Sequence, residues 1–329
     1  TKYYSTPTDV FRERGFSMVI WANHILRSAV TAMQATARRI QEEECLHSIE
    51  DSVASVGEVF RLQGAQELQA AEERYLPARA QATRAIVLAA GRGSALGELT
   101  ADRPKTMITV RNKSLLSHIV DAYNAAGVSQ LSVVRGYCKD KVNLANVNAI
   151  DNDEFADTGE LYSLHLALQD ANTSGVDTVI SYGDVLFRKY ILEAVLEADA
   201  DFVIAVDAAW RDSVNRDRAA DYVTCSTPNR RNAFYSNVTL EKISETIPQQ
   251  EIHGEWMGIV KVSAGAVGRL ATLVLQIVES PEPPGRRASM PYLFNQLVEH
   301  GESVRVLYTT GNWLDVDSVE DVVASSSFQ

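Results

Sequence analysis

The sequence Leu-Ala-Ala-Gly-Arg-Gly-Ser at 88–94, followed by Arg-Pro-Lys at 103–105, decides the fold of most of this chain. It begins where the apolar run Ala-Ile-Val-Leu at 85–88 ends, and that run is typical of a buried strand. Small residues after a strand let backbone N–H groups approach phosphate oxygens without obstruction by side chains. The pattern predicts a phosphate-binding loop, with Lys105 supplying positive charge. The alternative is an ordinary glycine-rich turn.

This loop differs from two better-known phosphate-binding motifs. It lacks the Gly-Lys-Ser/Thr of a P-loop, and Leu96 stands where a dinucleotide-binding fingerprint needs its third glycine. Together with the Pro-Lys that follows, it resembles the signature of nucleotidyltransferases with a Rossmann-like fold. The resemblance implies that Lys105 and Arg92 act as catalytic cations on a triphosphate. Ala95 departs from the family, which has there an arginine that helps neutralise the departing pyrophosphate; Arg92 or Arg103 could replace it.

The overall composition narrows the partners that the loop can serve. The 329 residues are 46% hydrophobic and 22% charged, as in ordinary globular proteins. A formal net charge of -12 argues against nucleic acid or an anionic membrane as the main partner, so a phosphate site must be small and locally cationic. The three cysteines form no CxxC pair, and no apolar run reaches the ~20 residues that span a bilayer. We therefore expect a cytoplasmic location.

Beyond residue 83 the sequence alternates between apolar strand patterns and helical patterns, as a sheet flanked by helices requires. We expect an α/β domain at 84–329 with a Rossmann-like, mostly parallel mixed sheet, preceded by a linker at 78–83. Strands are predicted at 84–89, 130–135, 177–182, 202–206, 221–225, 256–262 and 303–308. Helices are predicted near 114–126, 159–170, 188–197, 263–278 and 288–299.

Residues 1–77 have a different pattern from the rest of the chain. An apolar strand is predicted at 17–22, a long helix with apolar residues at helical spacing at 24–44, and a second helix at 52–61. One strand and a few helices cannot close a hydrophobic core by themselves. This segment should therefore need a partner.

The N-terminal segment also carries a second resemblance. The stretches TKYYSTPTD at 1–9, MVIWANH at 18–24 and VASVGEVFRLQ at 53–63 resemble the C-terminal end of phosphoenolpyruvate mutase, an α/β barrel of the isocitrate-lyase superfamily. The resemblance implies a mainly helical remnant of that barrel without the carboxylates that bind its Mg²⁺, so no mutase reaction is expected. It also implies that a homo-oligomer could form through this segment, because the terminal helices of relatives exchange between subunits.

Nucleotidyl transfer needs carboxylates that hold Mg²⁺, because an anionic oxygen must approach the α-phosphate against like charge. The strand pattern at 177–182 is followed by Gly-Asp, at the end of an open α/β sheet that presents ligand-binding groups. It resembles the family's Gly-Asp metal motif, which makes Asp184 the first predicted ligand. The stretch WLDVDSVED at 313–321 resembles the family's C-terminal motif, with Asp317 at the metal-binding position. The alternatives are a turn cap at Asp184 and a helix cap in the second stretch.

A further motif, N-x5-T-x4-S-L at 152–164, resembles one in cytidylyltransferases that act on phosphocholine and on phosphonates. It implies that Asn152 and Thr158 contact the pyrimidine and ribose, while Ser163 lies nearer the second substrate; turn or cap roles are the alternative. Tyr182 and Glu255 are further substrate candidates, because a ring face beside a carboxylate suits an ammonium group, and 254–258 resembles a substrate loop of the family. The predicted nucleotide-binding residues are Leu88, Ala89, Ala90, Gly91, Gly93, Asn152 and Thr158.

These resemblances imply an Mg²⁺-dependent enzyme that transfers CMP from CTP to a small phosphonate and releases pyrophosphate. Phosphoenolpyruvate mutase makes the C–P bond of phosphonates, so 2-aminoethylphosphonate and 2-hydroxyethylphosphonate are the candidate acceptors. The alternatives are transfer to phosphocholine or a sugar 1-phosphate, and a degenerate nucleotide-binding or assembly module, which Ala95 favours. Retention of Lys105, Asp184 and Asp317 favours the enzyme.

Overall fold

The computed structural model describes residues 5–46, 49, 52–64, 83–128, 130–169, 175–212, 220–230 and 237–325. The chain falls into two compact units, Thr1–Ala80 and Gln81–Gln329. The predicted linker at 78–83 lies outside the described residues except for Thr83, so the predicted domain boundary stays a prediction. Within the described ranges, no helix has the length and hydropathy that a membrane crossing requires.

The first unit is helical in its described residues, with α1 (Thr8–Glu13), α2 (His24–Glu43) and α3 (Val56–Leu62). Helix α2 confirms the helix predicted at 24–44, and its large apolar side chains are exposed. The predicted need for a partner stays a prediction. Helix α3 begins at Val56 rather than at 52. The reason is that Ser55 caps it, with the Ser55 hydroxyl accepting a hydrogen bond from the Glu58 N–H at 3.1 Å.

The strand predicted at 17–22 is wrong. Residues 17–22 form neither helix nor strand, and Met18 and Ile20 are 75% and 79% exposed. A strand is stabilised by hydrogen bonds to a neighbouring strand, and the described residues of this unit provide none. The apolar run therefore has the composition of a buried strand but lacks the pairing that would make it one.

The second unit is built on a nine-stranded sheet within its described residues, flanked by helices. Its strands, including two short two-stranded pairs, are β1 (Thr83–Ala89), β2 (Thr109–Val110), β3 (Lys113–Ser114), β4 (Gln130–Arg135), β5 (Asn148–Asp151), β6 (Asp177–Tyr182), β7 (Val185–Phe187), β8 (Phe202–Asp207), β9 (Tyr222–Cys225), β10 (Leu240–Ser244), β11 (Gly254–Val262), β12 (Val304–Thr309) and β13 (Trp313–Asp315). Its helices are α4 (Leu115–Ala125), α5 (Glu160–Leu168), α6 (Lys189–Glu197), α7 (Val267–Glu279), α8 (Met290–Glu299) and α9 (Val319–Ser325). All seven predicted strands and five predicted helices of this unit are confirmed within a few residues.

The sheet has the strand order β10-β9-β11-β6-β1-β4-β5, with β8 paired to β11 and β12 paired to β8. Strand β1 lies parallel to β4 and β6, and β12 lies parallel to β8, whereas β11 runs antiparallel to its neighbours. The predicted mixed, mainly parallel α/β sheet is therefore confirmed. In the register of β1 and β6, Leu88 lies opposite Tyr182, so the loops that follow these two strands meet at one edge of the sheet.

The hydrophobic core lies on both faces of this sheet. Along β1, Ile86 and Leu88 point into the layer that contains α5, α7 and α8, while Ala85 and Val87 point into the layer that contains α4 and α6. Burial on both faces explains why the central strands read as nearly continuous apolar runs. Because both faces of the sheet are apolar, polar site residues lie at its edge, where the loops after β1 and β6 leave the core.

Candidate active site

The loop after β1 is held closely on both sides by neighbouring backbone. The Leu88 carbonyl accepts a hydrogen bond from the Gly183 N–H at 2.9 Å, and the Ala90 carbonyl accepts one from the Tyr137 N–H at 2.9 Å. A Cβ atom added to Gly183 would lie 2.8 Å from the methyl group of Ala89. The Gly-Asp sequence after β6 thus lets the backbone that carries Asp184 approach the glycine loop.

Gly93 makes room for the predicted catalytic lysine. Its φ is +73°, and an added Cβ atom would lie 2.6 Å from the Lys105 Cβ. The Lys105 N–H donates to the Arg92 carbonyl at 3.2 Å, which ties the two parts of the motif together. Glycine at 93 therefore serves close packing against Lys105 as well as backbone conformation.

The Lys105 ammonium lies among carboxylates at the edge of the sheet. Its Nζ atom is 2.8 Å from Asp184 Oδ2, 2.5 Å from Asp317 Oδ1 and 3.7 Å from Asp315 Oδ1. Burial of Lys105 disfavours its charge, but the three carboxylates outweigh burial and raise the pKa of this lysine. The structure therefore brings three predicted residues, Lys105, Asp184 and Asp317, to one point and keeps the lysine charged at neutral pH.

The short strands β7 and β13 place Asp315 and Asp317 next to Lys105. Strand β13 pairs with β7, placing Asp315 opposite Val185, and the Val316 N–H donates to the Asp184 carbonyl at 3.2 Å. Asp317 follows at once. Asp315 was not among the predicted ligands, although the Asp-x-Asp spacing puts it on the same face as Asp317 when this segment is extended.

The carboxylates also fit a divalent cation. Asp184 Oδ1 is buried and has no hydrogen-bond partner among the described residues, while Asp184 Oδ2 and Asp317 Oδ1 both face one cation, the Lys105 ammonium. In the described part of the chain, no group of three His, Cys, Asp or Glu residues forms a complete metal cage. Mg²⁺ prefers oxygen ligands and is typically held by one or two carboxylates plus substrate phosphates and water. Asp184 and Asp317 are suited to that kind of site.

Asn152, Thr158 and Ser163 form one hydrogen-bonded group. Asn152 is buried, and its Nδ2 donates to Thr158 Oγ1 at 3.1 Å and to Ser163 Oγ at 3.0 Å, while its Oδ1 accepts from the Glu154 N–H at 3.0 Å. The Thr158 hydroxyl donates to the Glu154 carbonyl at 2.8 Å. Both amide hydrogens of Asn152 are thus engaged within the protein. The predicted contacts with pyrimidine and ribose stay predictions, and the observed bonds give Asn152 a role in shaping this loop.

A cavity of about 1020 Å³ connects the glycine loop with the carboxylate cluster. The sequence-predicted residues that line it are Leu88, Ala90, Gly91, Asn152, Thr158, Ser163, Tyr182, Asp184, Glu255 and Asp317. Ala95 lines it too. The predicted residues that do not line it are Ala89, Arg92, Gly93 and Lys105. Lys105 is buried and pairs with carboxylates that do line the cavity. Arg92 is exposed, and its guanidinium lies 5.4 Å from the centre of the Tyr137 ring.

The far side of the cavity is aromatic and acidic. The Tyr182 and Trp256 rings meet edge to face, with centroids 5.2 Å apart, beside the buried Glu255. The predicted substrate loop at 254–258 is instead the beginning of β11, where Glu255 pairs with Asp207 of β8 and with Tyr222 of β9. Sequence reasoning missed Glu160, which also lines the cavity and whose pKa is raised by burial. It occupies an unspecified position of the motif at 152–164, so the sequence pattern did not single it out.

The N-terminal segment has a counterpart among known proteins. Over 76 residues the chain is 57% identical to a phosphoenolpyruvate phosphomutase of Tetrahymena pyriformis, a match that covers 23% of this chain and 25% of that protein. The resemblance predicted for the N-terminal segment is confirmed. This chain thus spans about a quarter of the phosphomutase it matches.

The remainder of the chain is similar to cytidylyltransferases. Over 249 residues it is 23% identical to a CTP:phosphoglutamine cytidylyltransferase of Campylobacter jejuni, covering 72% of this chain and 97% of that protein. Over 94 residues it is 31% identical to a 2-aminoethylphosphonate cytidylyltransferase of Lancefieldella rimae, covering 27% of this chain and 38% of that protein.

A solved structure shares the fold of the second unit. The inositol-1-phosphate CTP transferase of T. maritima superposes with a TM-score of 0.59 at 20% sequence identity, covering 75% of this chain and 96% of that one. The profile of the MobA-like NTP transferase domain matches residues 85–266, more than half of the chain. The chain that carries this glycine loop and carboxylate cluster belongs to the MobA-like NTP transferase domain family.

Proposed function

We propose that residues 84–329 catalyse Mg²⁺-dependent transfer of CMP from CTP to a small phosphonate. The observation that carries this proposal is the convergence of Lys105, Asp184 and Asp317 beside the glycine loop, at the rim of a cavity large enough for a nucleotide and a small acceptor. A module that only bound a nucleotide would not need a buried lysine held between two carboxylates. Asp184 and Asp317 would hold Mg²⁺, which would neutralise charge on the triphosphate and on the departing pyrophosphate.

The chain's own groups account for the remaining steps. Backbone N–H groups of the loop at 90–93 would hold phosphate oxygens, and the Lys105 ammonium would turn from the carboxylates to the triphosphate. An oxygen of the phosphonate would then form a bond to the α-phosphorus of CTP as the bond from that phosphorus to the β-phosphate oxygen breaks. The nucleophile is already anionic, so no proton has to be removed and no covalent enzyme intermediate is needed.

Two observations support a phosphonate that carries an amine. The N-terminal segment is similar to a phosphomutase and the second unit to a 2-aminoethylphosphonate cytidylyltransferase, which links the chain to phosphonate chemistry. The cavity is lined by acidic side chains, and among the described lining residues there is no lysine or arginine. Such a lining attracts an ammonium group, so it supports 2-aminoethylphosphonate over 2-hydroxyethylphosphonate.

Phosphocholine is the second candidate acceptor. Its quaternary ammonium would fit the same surface, where the Tyr182 and Trp256 rings lie beside Glu255. A sugar 1-phosphate has no positive charge and gains nothing from this lining. The two amine-bearing acceptors differ in the atom that links phosphorus to the alkyl chain and in the methyl groups on nitrogen, so a direct assay separates them.

The test is release of pyrophosphate from each of CTP, UTP, ATP and dTTP in the presence of Mg²⁺. The acceptors are 2-aminoethylphosphonate, 2-hydroxyethylphosphonate, phosphocholine and glucose 1-phosphate. We expect the highest kcat/KM with CTP and 2-aminoethylphosphonate. Preference for phosphocholine would select the second candidate, and CTP binding without turnover on any acceptor would show a degenerate nucleotide-binding module.

A further inference from the structure

A buried carboxylate outside the described cluster gathers three N–H groups. Asp207, the last residue of β8, is 4% exposed. Its Oδ1 accepts hydrogen bonds from the Ala209 N–H at 2.8 Å and the Gly311 N–H at 2.9 Å, and its Oδ2 accepts from Trp313 Nε1 at 2.8 Å. Three donors that converge on two oxygens are satisfied by a carboxylate. An asparagine would oppose one of these N–H groups with its own NH₂ group.

Two of these donors, on Gly311 and Trp313, lie on the segment that leads to Asp315 and Asp317. Strand β12 ends opposite Asp207, at Thr309, and the chain turns through 310–312 before β13 begins at Trp313. Gly311 and Asn312 both have positive φ, as a sharp turn requires. Asp315 and Asp317 then follow Trp313 by two and four residues along the chain.

Strand β13 needs an anchor of this kind. It is three residues long and pairs with β7, which is also three residues long, and two isolated strands of that length give little stability on their own. The Asp207 carboxylate accepts a hydrogen bond from the indole of Trp313, the first residue of β13. The opposite end of β13 is the edge of the carboxylate cluster.

We propose that Asp207 is a positioning residue: through its bond to Trp313 it sets the position of the segment that presents Asp315 and Asp317. The inference rests on the proposed function for the role of that cluster in holding Mg²⁺. Groups that orient metal ligands from outside the coordination sphere typically change metal affinity or activity by about 10- to 100-fold when they are removed. Asp207 would act through Trp313 and the segment that follows it, without touching substrate.

The test compares Asp207→Asn, Trp313→Phe and the double variant. Asp207→Asn keeps the side-chain shape and can still accept from Ala209 and Gly311, but it places an NH₂ group against the indole N–H. We expect each single variant to raise the Mg²⁺ concentration for half-maximal CMP transfer by about 10-fold or more. The double variant should be little worse than either single one, because both remove the same bond.

Asp201→Asn is the matched control. Asp201 lies immediately before the first residue of β8, and its exposed carboxylate accepts hydrogen bonds from Ser263 and Arg269. It should leave the Mg²⁺ requirement unchanged even if it lowers the melting temperature. A second readout is the indole ¹H–¹⁵N resonance of Trp313, assigned with Trp313→Phe. It should move in Asp207→Asn and stay in place in Asp201→Asn.

Two results would overturn the positioning role. One is a folded Asp207→Asn protein in which the Trp313 resonance is that of wild type. The other is a moved resonance with an unchanged Mg²⁺ requirement. If wild type transfers no CMP, the proposed function fails. The positioning role is then tested by Mn²⁺ binding in the presence of CTP, which is measured from the EPR signal of free Mn²⁺. Equal Mn²⁺ affinity in wild type, Asp207→Asn and Trp313→Phe would then refute it.

Discussion

At the scale of single residues, the main feature is a lysine whose ammonium lies between two carboxylates. Lys105 is buried, and its ammonium bonds to Asp184 and Asp317, the two carboxylates proposed to hold Mg²⁺. Carboxylates that lie this close together repel one another, so the lysine between them stabilises them when no substrate is present. On the proposed function, a nucleotide bound with Mg²⁺ would offer both a new partner for Lys105 and a new cation for the carboxylates.

The first prediction concerns Asp184. Asp184→Asn keeps the shape of the side chain but removes the charge, while Asp315 and Asp317 remain to pair with Lys105, so the fold should survive. We expect kcat to fall by at least ~10²-fold at saturating Mg²⁺, as for the loss of a group that stabilises charge in the transition state. Asp121→Asn, at an exposed pair with Lys113, is the control and should retain full activity. Full turnover of Asp184→Asn in EDTA would contradict the metal site.

The second prediction concerns Ala95. It lines the cavity on the 3₁₀ helix Ser94–Thr100, at the position where the related family carries an arginine. Arg103 is hydrogen-bonded to Asp102, whereas Arg92 is exposed over the Tyr137 ring and is the better placed substitute. An arginine at 95 should add a charge-assisted phosphate contact worth roughly 1.5–3 kcal/mol, which is about 10- to 150-fold in kcat/KM for CTP.

Steady-state kinetics of Ala95→Arg with CTP measures this gain, and Ala95→Gln controls for side-chain size without charge. An unchanged kcat/KM in folded Ala95→Arg would mean that Arg92 already fills the role. In that case Arg92→Gln in the wild-type background should lose activity.

At the scale of elements, the N-terminal cap of α9 stabilises this helix and also holds the backbone of the neighbouring candidate site residue Asp317. Ser318 Oγ accepts a hydrogen bond from the Asp321 N–H at 3.2 Å, and Asp321 Oδ2 accepts from the Ser318 N–H at 2.8 Å, which confirms the helix cap considered for this segment. The same Asp321 oxygen accepts from the Asp317 N–H at 3.1 Å. The cap therefore also fixes the backbone of a proposed metal ligand.

The third prediction follows from this cap. Ser318→Ala should lower the free energy of unfolding by about 1 kcal/mol, because the Asp321 N–H loses its acceptor at the helix start. Ser318→Thr retains the hydroxyl and should remain close to wild type. Urea denaturation measures both variants. Equal midpoints for wild type and Ser318→Ala would show that the cap contributes nothing.

The same scale shows what a sequence can and cannot reveal. Long apolar strands such as β1 and β6 were predictable, because burial on both sheet faces leaves a continuous apolar run. The three-residue strands β7 and β13 were not, since their pairing depends on a register that only the folded chain defines. For residues 17–22 the sequence pattern predicted a strand that the structure lacks, because an apolar run does not specify which strand it would pair with.

The residues of the candidate site also fall into two groups: those that a motif identifies and those that only tertiary contacts identify. Lys105, Asp184 and Asp317 lie in contiguous motifs whose chemistry is local, so their convergence could be predicted. Asp207 lies outside any motif, and Glu160 occupies an unspecified position of the motif at 152–164. They became relevant when tertiary contacts brought one to Trp313 and the other to the cavity.

At the scale of the whole molecule, the chain joins two units that are similar to different proteins. The first is similar to part of a phosphomutase, while the glycine loop, the lysine and the carboxylates all lie within Gln81–Gln329. We therefore expect deletion of residues 1–77 to leave kcat and KM for CTP close to those of the full chain. Circular dichroism checks that the shortened protein is folded, and a large loss of kcat in a folded protein would show that the first unit contributes to the site.

The most direct test of the central claim is ³¹P NMR of a mixture of the protein, CTP, 2-aminoethylphosphonate and Mg²⁺. Formation of a phosphonate–phosphate anhydride gives a coupled pair of phosphorus signals in step with the appearance of pyrophosphate, and the proposal predicts both. The signals should be absent with EDTA and strongly reduced with Asp184→Asn. Unchanged CTP and phosphonate signals at full Mg²⁺, or an anhydride formed at the same rate in EDTA, would contradict the account.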